Sequence, residues 1–188
     1  LDRAQVTADA ARIREMYRQE GFLAVEVGPE IIFSEDKQEA EVIFHIEEGP
    51  RYQVGAFRFE GNELFAADEL IERLALREGS YVSPVKVRRA VRRVQDTYGQ
   101  LGYIETRVTV QQVFREAPGV VDLVFTIRES AQYDVGDILI RGNRITRENV
   151  VRRNLTFFPR QRLDSTALER SRQRLMGTQL FENVEMRT

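Results

Sequence analysis

The 188-residue chain has one histidine, His45, and no cysteine. An imidazole acts as acid or base only with a partner that relays its proton. His45 alternates with Phe44 and Ile46, which turns it to the face of a strand opposite the apolar one, beside Glu41, Ile43 and Glu47. It reads there as a solvated or interdomain surface histidine. Glu35, Asp36, Glu39 and Glu41 lie close enough to gather round a cation, but they lack the central glycine and bidentate glutamate of a calcium loop. They read as a solvated hairpin turn. No phosphate cradle of the type G-x-x-x-x-G-K-[ST] occurs. Without cysteine there are no disulfides and no thiolate metal sites. The expectation is a protein that is not an enzyme and holds neither metal nor cofactor.

Arg88, Arg89, Arg92 and Arg93 put four guanidiniums on one helix, the residue type that binds phosphate backbones. Comparison with a KH nucleic-acid module fails at the turn between helices. Arg77-Glu78-Gly79-Ser80-Tyr81 has one glycine beside an acid where that module has its Gly-x-x-Gly clamp. The net charge of -2 also has the wrong sign. These arginines read as the polar face of a helix, and no nucleic acid is expected as partner. Along the chain the charge runs from -6 over residues 1–52 through zero over 53–133 to +4 over 134–188, three separately solvated surfaces.

What positions these residues is a repeat. Tyr52-Gln53-Val54-Gly55-Ala56-Phe57-Arg58-Phe59-Glu60-Gly61-Asn62 returns 81 residues later as Tyr133-Asp134-Val135-Gly136-Asp137-Ile138-Leu139-Ile140-Arg141-Gly142-Asn143. The alignment of 17–62 with 98–143 needs no gap and contains fourteen identities. A fixed period of this kind makes each period one structural unit. The chain divides into a partial unit at 1–52, a complete one at 53–132 and a partial one at 133–188. Units this small bury only about 60–65% of their unfolded surface, so neighbours are expected to lean on each other. The three-residue links, Gly49-Pro50-Arg51 and Ser130-Ala131-Gln132, predict a jointed rod. The apolar content of 42% with 31% charge suits a globular protein, and no apolar run of about 18 residues is long enough for a membrane helix. Leu1 is not a natural start, so the sequence is expected to have lost its beginning.

Each unit reads as β-α-α-β-β, an α+β fold in which two helices cover one face of a three-stranded mixed sheet. Residues 2–20 form a helix with Val6, Ala10, Ile13 and Tyr17 on one stripe and Asp2 as N-cap. Ser83 and Asp164 stand at the same place one and two periods on, and Gly21 and Gly102 end the first two of these helices. Further helices are expected over Asp68–Leu76 and Thr146–Leu155, and the third long helix ends about a turn early at Gly177. Gly61-Asn62 and Gly142-Asn143 are the structural turns after strand one, glycine supplying positive φ and asparagine bonding locally.

Strand two is expected at Phe22–Val27, including Val25, and at Tyr103–Gln111. There Ile104, Thr106, Val108 and Val110 alternate with Glu105, Arg107, Thr109 and Gln111. Pro29 cannot donate to a ladder and marks this strand as an edge. In the third unit it starts at Leu180-Phe181-Glu182-Asn183-Val184. Strand three carries Val42, Phe44 and Ile46, then Leu123, Phe125 and Ile127. An edge strand offers unpaired N–H and C=O groups to a guest strand, which is the binding signal of this sequence.

Gly-Asn after strand one, the Gly-aromatic steps Gly21-Phe22 and Gly102-Tyr103, and the joint Glu47-Glu48-Gly49-Pro50-Arg51-Tyr52-Gln53-Val54-Gly55 resemble the POTRA domain found in the outer-membrane assembly superfamily of BamA and TamA. The resemblance covers the whole chain. Phe181 stands where the usual Gly-aromatic step loses its glycine, and Ser130-Ala131 replaces the usual Gly-Pro. The resemblance implies a periplasmic array at the outer membrane that precedes a membrane β-barrel in the full-length chain, receives unfolded outer-membrane proteins, docks accessory lipoproteins and has no enzymatic activity. It also implies that strand two, here Tyr103–Gln111, Phe22–Val27 and Phe181–Met186, is the edge where partners add. The other reading is a passive spacer or divisome-type interaction array. The partial units at either end also suggest that two chains complement each other, which a monomeric mass in solution would exclude.

Overall fold

The computed structural model describes residues 2–36 and 38–187. Among them are α1 (Arg3–Gln19), β1 (Glu26–Phe33), β2 (Ala40–Glu47), β3 (Gln53–Glu60), α2 (Ala67–Leu74), α3 (Pro84–Gly99), β4 (Arg107–Phe114), β5 (Val120–Arg128), α4 (Glu148–Arg152) and α5 (Ser165–Gly177). The class is α+β, and the middle repeat runs through the full β-α-α-β-β order. Its strands lie in the order β3-β5-β4, with the last strand of the repeat in the centre, while β1 and β2 pair separately. The chain folds as two compact units. One joins the N-terminal stretch through Phe59 with Leu74–Ala90 and Val110–Phe125, and the other joins Glu60–Arg73, Val91–Thr109 and the stretch from Thr126 onward.

In the first unit the Asp2 carboxylate accepts the Ala4 and Gln5 amides at 2.9 and 3.4 Å, satisfying two donors that the helix cannot. Ala10, Val25 and Val27 form a small core, with Ile13, Tyr17, Phe22 and Phe44 against it. β1 and β2 are antiparallel without a bulge, from Glu26 opposite Glu47 to Phe33 opposite Ala40. β1 starts at Glu26, four residues later than the alternation predicts. The cause is local: the Phe22 amide bonds back to the Tyr17 carbonyl at 3.2 Å, Val25 bonds to the Phe22 carbonyl at 3.3 Å, and the Phe22 ring meets Tyr17 edge-on. Phe22 therefore closes the helix. The strand also passes through Pro29 and ends at Phe33, well beyond the expected Val27. Gln53 donates to the Gly119 carbonyl at 2.8 Å and Phe59 stacks on Phe125, so the pairs advance together and β3 runs parallel to β5. With the antiparallel β4–β5 hairpin, closed by Arg115 donating to the Val120 carbonyl at 3.2 Å, the sheet is mixed.

In the second unit the Asp164 carboxylate caps α5 through the Thr166 and Ala167 amides. Val135, Val151, Leu155, Phe157, Leu163, Ala167 and Leu175 form its core, with Ile138, Ile140, Phe181 and Val184 packed against it. The helix expected over Thr146–Leu155 is shorter, with Arg147 at its N-cap position. The expected strands of the third repeat, over Tyr133–Asn143 and Phe181–Met186, do not form ladders, and Asp134 makes a single bridge to Arg162. In the middle repeat both outer strands pair with the central β5. Residues 133–188 contain no counterpart of β5, so these segments keep their inward side chains and lose their pairing. Between them lies an open cleft of about 750 Å³, lined by Ile138, Ile140, Phe181, Val184 and Met186 among others.

Candidate partner-binding edge

β4 occupies the edge of its sheet, and its alternation is as the sequence predicts: Thr106 and Val108 are buried and Val110 half-buried, while Glu105, Arg107, Thr109 and Gln111 are exposed. As in the first repeat, the strand itself starts four residues late, at Arg107. Tyr103 and Ile104 belong to a turn in which the Tyr103 amide bonds to the Tyr98 carbonyl at 3.1 Å and the Thr106 amide to the Tyr103 carbonyl at 3.2 Å. Glu105 is not a free edge carboxylate either. It accepts the Tyr133 hydroxyl at 2.9 Å, and that bond raises the Tyr133 pKa.

The direction of each amide on the edge follows from one bond. In an antiparallel pair a residue sends both its N–H and its C=O toward the partner strand, and the next residue sends both away. Arg115 donates to Val120 of the β5 side, so Arg107, Thr109, Gln111 and Val113 bond inward, and Val108, Val110, Gln112 and Phe114 present their main-chain groups to the open edge. In the first repeat Ser34 donates to the Glu39 carbonyl at 3.0 Å, in register with the β1–β2 ladder. Val27, Pro29, Ile31 and Phe33 therefore face the open edge. Pro29 sits where no ladder bond is lost, which is why the strand tolerates it. It also deletes one outward donor from an edge that is intact in β4.

The turn residues hold the frames of both repeats. Gly61, at φ +77°, leaves no room for a side chain against the Ile127 carbonyl. Asn62 donates to the Phe65 carbonyl at 2.9 Å and Asn143 to the Thr146 carbonyl at 3.1 Å, the same device one period apart, with Gly142 at φ +86°. Gly21 and Gly102, at φ +103° and +92°, end the helical segments as expected, and their carbonyls also hold the first residue of the following repeat. Glu129 accepts the Tyr98 hydroxyl at 2.8 Å and the Leu64 amide at 2.9 Å; burial, then this bond, pushes the Tyr98 pKa above its usual value.

The sequence reading missed a buried carboxylate. Alternation puts Asp122 on the outward face of β5, yet it is buried, accepting the Ala56 amide at 2.8 Å and pairing with Arg115 at 2.7 Å, with Arg58 at 3.6 Å. The Arg115 hydrogen bond and then the Ala56 amide hold its pKa below the ordinary carboxylate value. Gly55 makes room for it, since a side chain there would run into the Asp122 carboxylate. His45, on the exposed face as expected, lies 2.6 Å from Glu30, diagonally across the β1–β2 ladder. Asp36 accepts the Ser34 hydroxyl at 2.6 Å and the Gln38 amide at 3.2 Å, and those two bonds lower its pKa. Among the described residues no three His, Asp or Glu side chains converge on a possible metal position, and no helix is long and apolar enough to cross a membrane. Arg88, Arg89, Arg92 and Arg93 are exposed on α3.

The family model "POTRA: Surface antigen variable number repeat" matches residues 1–49, 52–130 and 133–188. The chain belongs to the POTRA family. The crystal structure of Haemophilus influenzae BamA POTRA3-5 matches with a TM-score of 0.73 at 21% identity, covering 99% of this chain and 74% of that one. BamA from Haemophilus ducreyi lacking POTRA domains 1-3 matches with a TM-score of 0.53 at 22% identity, over 69% of this chain and 24% of that one. Among sequences, outer membrane protein assembly factor BamA of Neisseria meningitidis serogroup B is 28% identical over 180 residues, 94% of this chain and 22% of that protein. The protein of the same name from Nitratidesulfovibrio vulgaris is 25% identical, over 94% of this chain and 23% of that protein. This POTRA chain thus spans about a quarter of the length of these curated relatives, which are named as assembly factors and not as enzymes.

Proposed function

We propose that this POTRA chain is the periplasmic module of an outer-membrane β-barrel assembly protein, built from three repeats at 1–52, 53–132 and 133–188. It stands at the periplasmic face of the bacterial outer membrane, with a C-terminal membrane barrel in the same full-length protein. It has no catalytic role. It binds unfolded outer-membrane proteins and accessory assembly lipoproteins, which add as a strand to the edge formed by Tyr103 to Gln111 and continued to Phe114. Phe22, Val25 and Val27 belong to the corresponding edge of the first repeat, and Phe181 and Val184 to that of the third once its central strand is in place. The observation that carries this reading is the uninterrupted row of outward main-chain groups at Val108, Val110, Gln112 and Phe114. Main-chain pairing gives affinity with little demand on side chains, which suits a protein that handles many extended clients.

The spacer reading draws on the joints, where Gly21 and Gly102 fix the next repeat by main-chain bonds. The two readings separate on one substitution. Gln112→Pro removes an outward donor from the edge and leaves the joints alone. Loss of binding of an unfolded barrel protein by a folded Gln112→Pro chain supports the client-binding reading, and unchanged binding favours the spacer.

A further inference from the structure

Both edge strands run past the residues that alternation singles out, and they end alike. β1 closes on Ile31-Ile32-Phe33 and β4 on Gln112-Val113-Phe114, one period apart. Phe33 and Phe114 are identical and Ile32 and Val113 are both β-branched, although the strands differ earlier, with Glu26 against Arg107, Gly28 against Thr109 and Pro29 against Val110. A core requirement would explain such a recurrence, but these side chains are not core. Ile32, Phe33, Val113 and Phe114 are 46%, 49%, 39% and 52% exposed. Two apolar pairs thus stand in solvent at the ends of two edge strands, where charged residues usually guard against association. The Tyr52 ring meets Phe114 edge-on at 5.0 Å, which fixes one side of the phenyl ring and leaves the other open. The main-chain groups of Phe33 and Phe114 face the open edge, and neither triplet contains a charge.

We infer that these two triplets are the specificity-determining anchors of the edges, and that their occupant is an extended segment of an unfolded polypeptide carrying an aromatic or branched aliphatic side chain. The inference rests on the edge-addition reading and adds what the guest must carry. Main-chain pairing along the strand does not choose among sequences. The apolar end does, by burying a guest side chain against Val113 and Phe114 or against Ile32 and Phe33. On β1 the dependence is stronger, because Pro29 interrupts the outward donors and leaves Ile31 and Phe33 as the consecutive pair beside the anchor.

The test compares two peptides of about twelve residues, alternating Val and Thr between terminal lysines, one with Phe and the other with Ser at its penultimate position. Binding to this 188-residue chain is read by fluorescence anisotropy. The expected result is a preference of about tenfold for the Phe peptide, set by the scale of aromatic burial. The preference is lost when all four anchor residues are replaced, Ile32→Thr and Phe33→Thr with Val113→Thr and Phe114→Thr, and is retained in a Phe33→Leu, Phe114→Leu chain, which keeps the anchors apolar and controls for folding. Equal binding of both peptides by the unaltered chain overturns the anchor proposal and leaves edge addition standing. Binding of neither overturns both. A preference that survives in the four-residue variant places the anchor elsewhere and also overturns the proposal.

Discussion

The Gly102 carbonyl accepts the Tyr133 amide at 2.9 Å, and the Gly21 carbonyl accepts the Tyr52 amide at 2.8 Å, 81 residues earlier. Each tyrosine carbonyl in turn accepts an amide from the segment just before the long helix of its own repeat, Leu163 at 3.0 Å for Tyr133 and Val82 at 3.0 Å for Tyr52. The joint between repeats is thus a main-chain clasp. It explains why glycine and tyrosine recur at these places although neither is a core position.

The clasp predicts a graded glycine series. A side chain on Gly102 would stand 2.7 Å from the Tyr133 carbonyl and 2.7 Å from the Arg162 side chain, at φ +92°. Gly102→Ala is expected to cost about 1–3 kcal/mol in denaturant unfolding, from the left-handed backbone and the collision together. Gly136→Ala, which meets nothing within 4 Å, is expected to change stability by less than about 0.5 kcal/mol. Equal costs would mean that the clasp contributes nothing.

The Asp122 cluster predicts an acid limit. Its carboxylate pKa is lowered in the folded state, so the contribution is present above the unfolded value near 3.8 and is lost as pH falls through the lower folded value. Asp122→Asn is expected to lose about 1–3 kcal/mol at neutral pH, because the Arg115 pair is replaced by a neutral amide. It should also flatten the decline of stability below that value. Urea melts at several pH values check this, and parallel curves for the two chains would remove Asp122 as the cause.

Tyr98 has the opposite sign. Its hydroxyl pKa is raised in the folded state, so its contribution is full below the unfolded value near 10 and is lost as pH rises toward the folded value. Tyr98→Phe keeps the buried ring and removes the bond to Glu129. It is expected to cost about 1 kcal/mol at neutral pH and to weaken the alkaline dependence, as measured by thermal unfolding.

Much of this molecule is legible because the cues are local. Asp2 and Asp164 cap helices in the way that their residue type and period imply, and Gly61-Asn62 turns the chain where positive φ is needed. The alternation Thr106, Val108, Val110 gives the inward face of β4 correctly. Phe22 and Tyr103 mislead, because an aromatic after glycine reads as a strand start and here packs back on the preceding helix. The third repeat misleads for a non-local reason. Val135, Ile138 and Ile140 face the core as their counterparts Val54, Phe57 and Phe59 imply, but a ladder also needs the central strand. Asp122 was hidden by alternation itself, which says outward and cannot say that Arg115 and Gly55 will enclose it. The Phe33 and Phe114 identity was visible in the repeat, beyond the point at which the strands were expected to stop.

A paired proline experiment separates the two faces of the β4 backbone. Gln111→Pro removes an amide that bonds to β5 and is expected to cost about 3 kcal/mol or more. Gln112→Pro removes an outward amide, should cost under about 1 kcal/mol, and should abolish strand addition. A reversed order of stability would show that the assigned direction of the edge is wrong.

The most direct test of strand addition is residue-resolved amide hydrogen exchange on the chain with and without an unfolded barrel client. In the free chain Thr109, Gln111 and Val113 should exchange slowly, and Val108, Val110, Gln112 and Phe114 quickly. With client bound, the second set should become protected while the first changes little. Client binding with no protection of Val108, Val110, Gln112 and Phe114 would contradict strand addition at this edge.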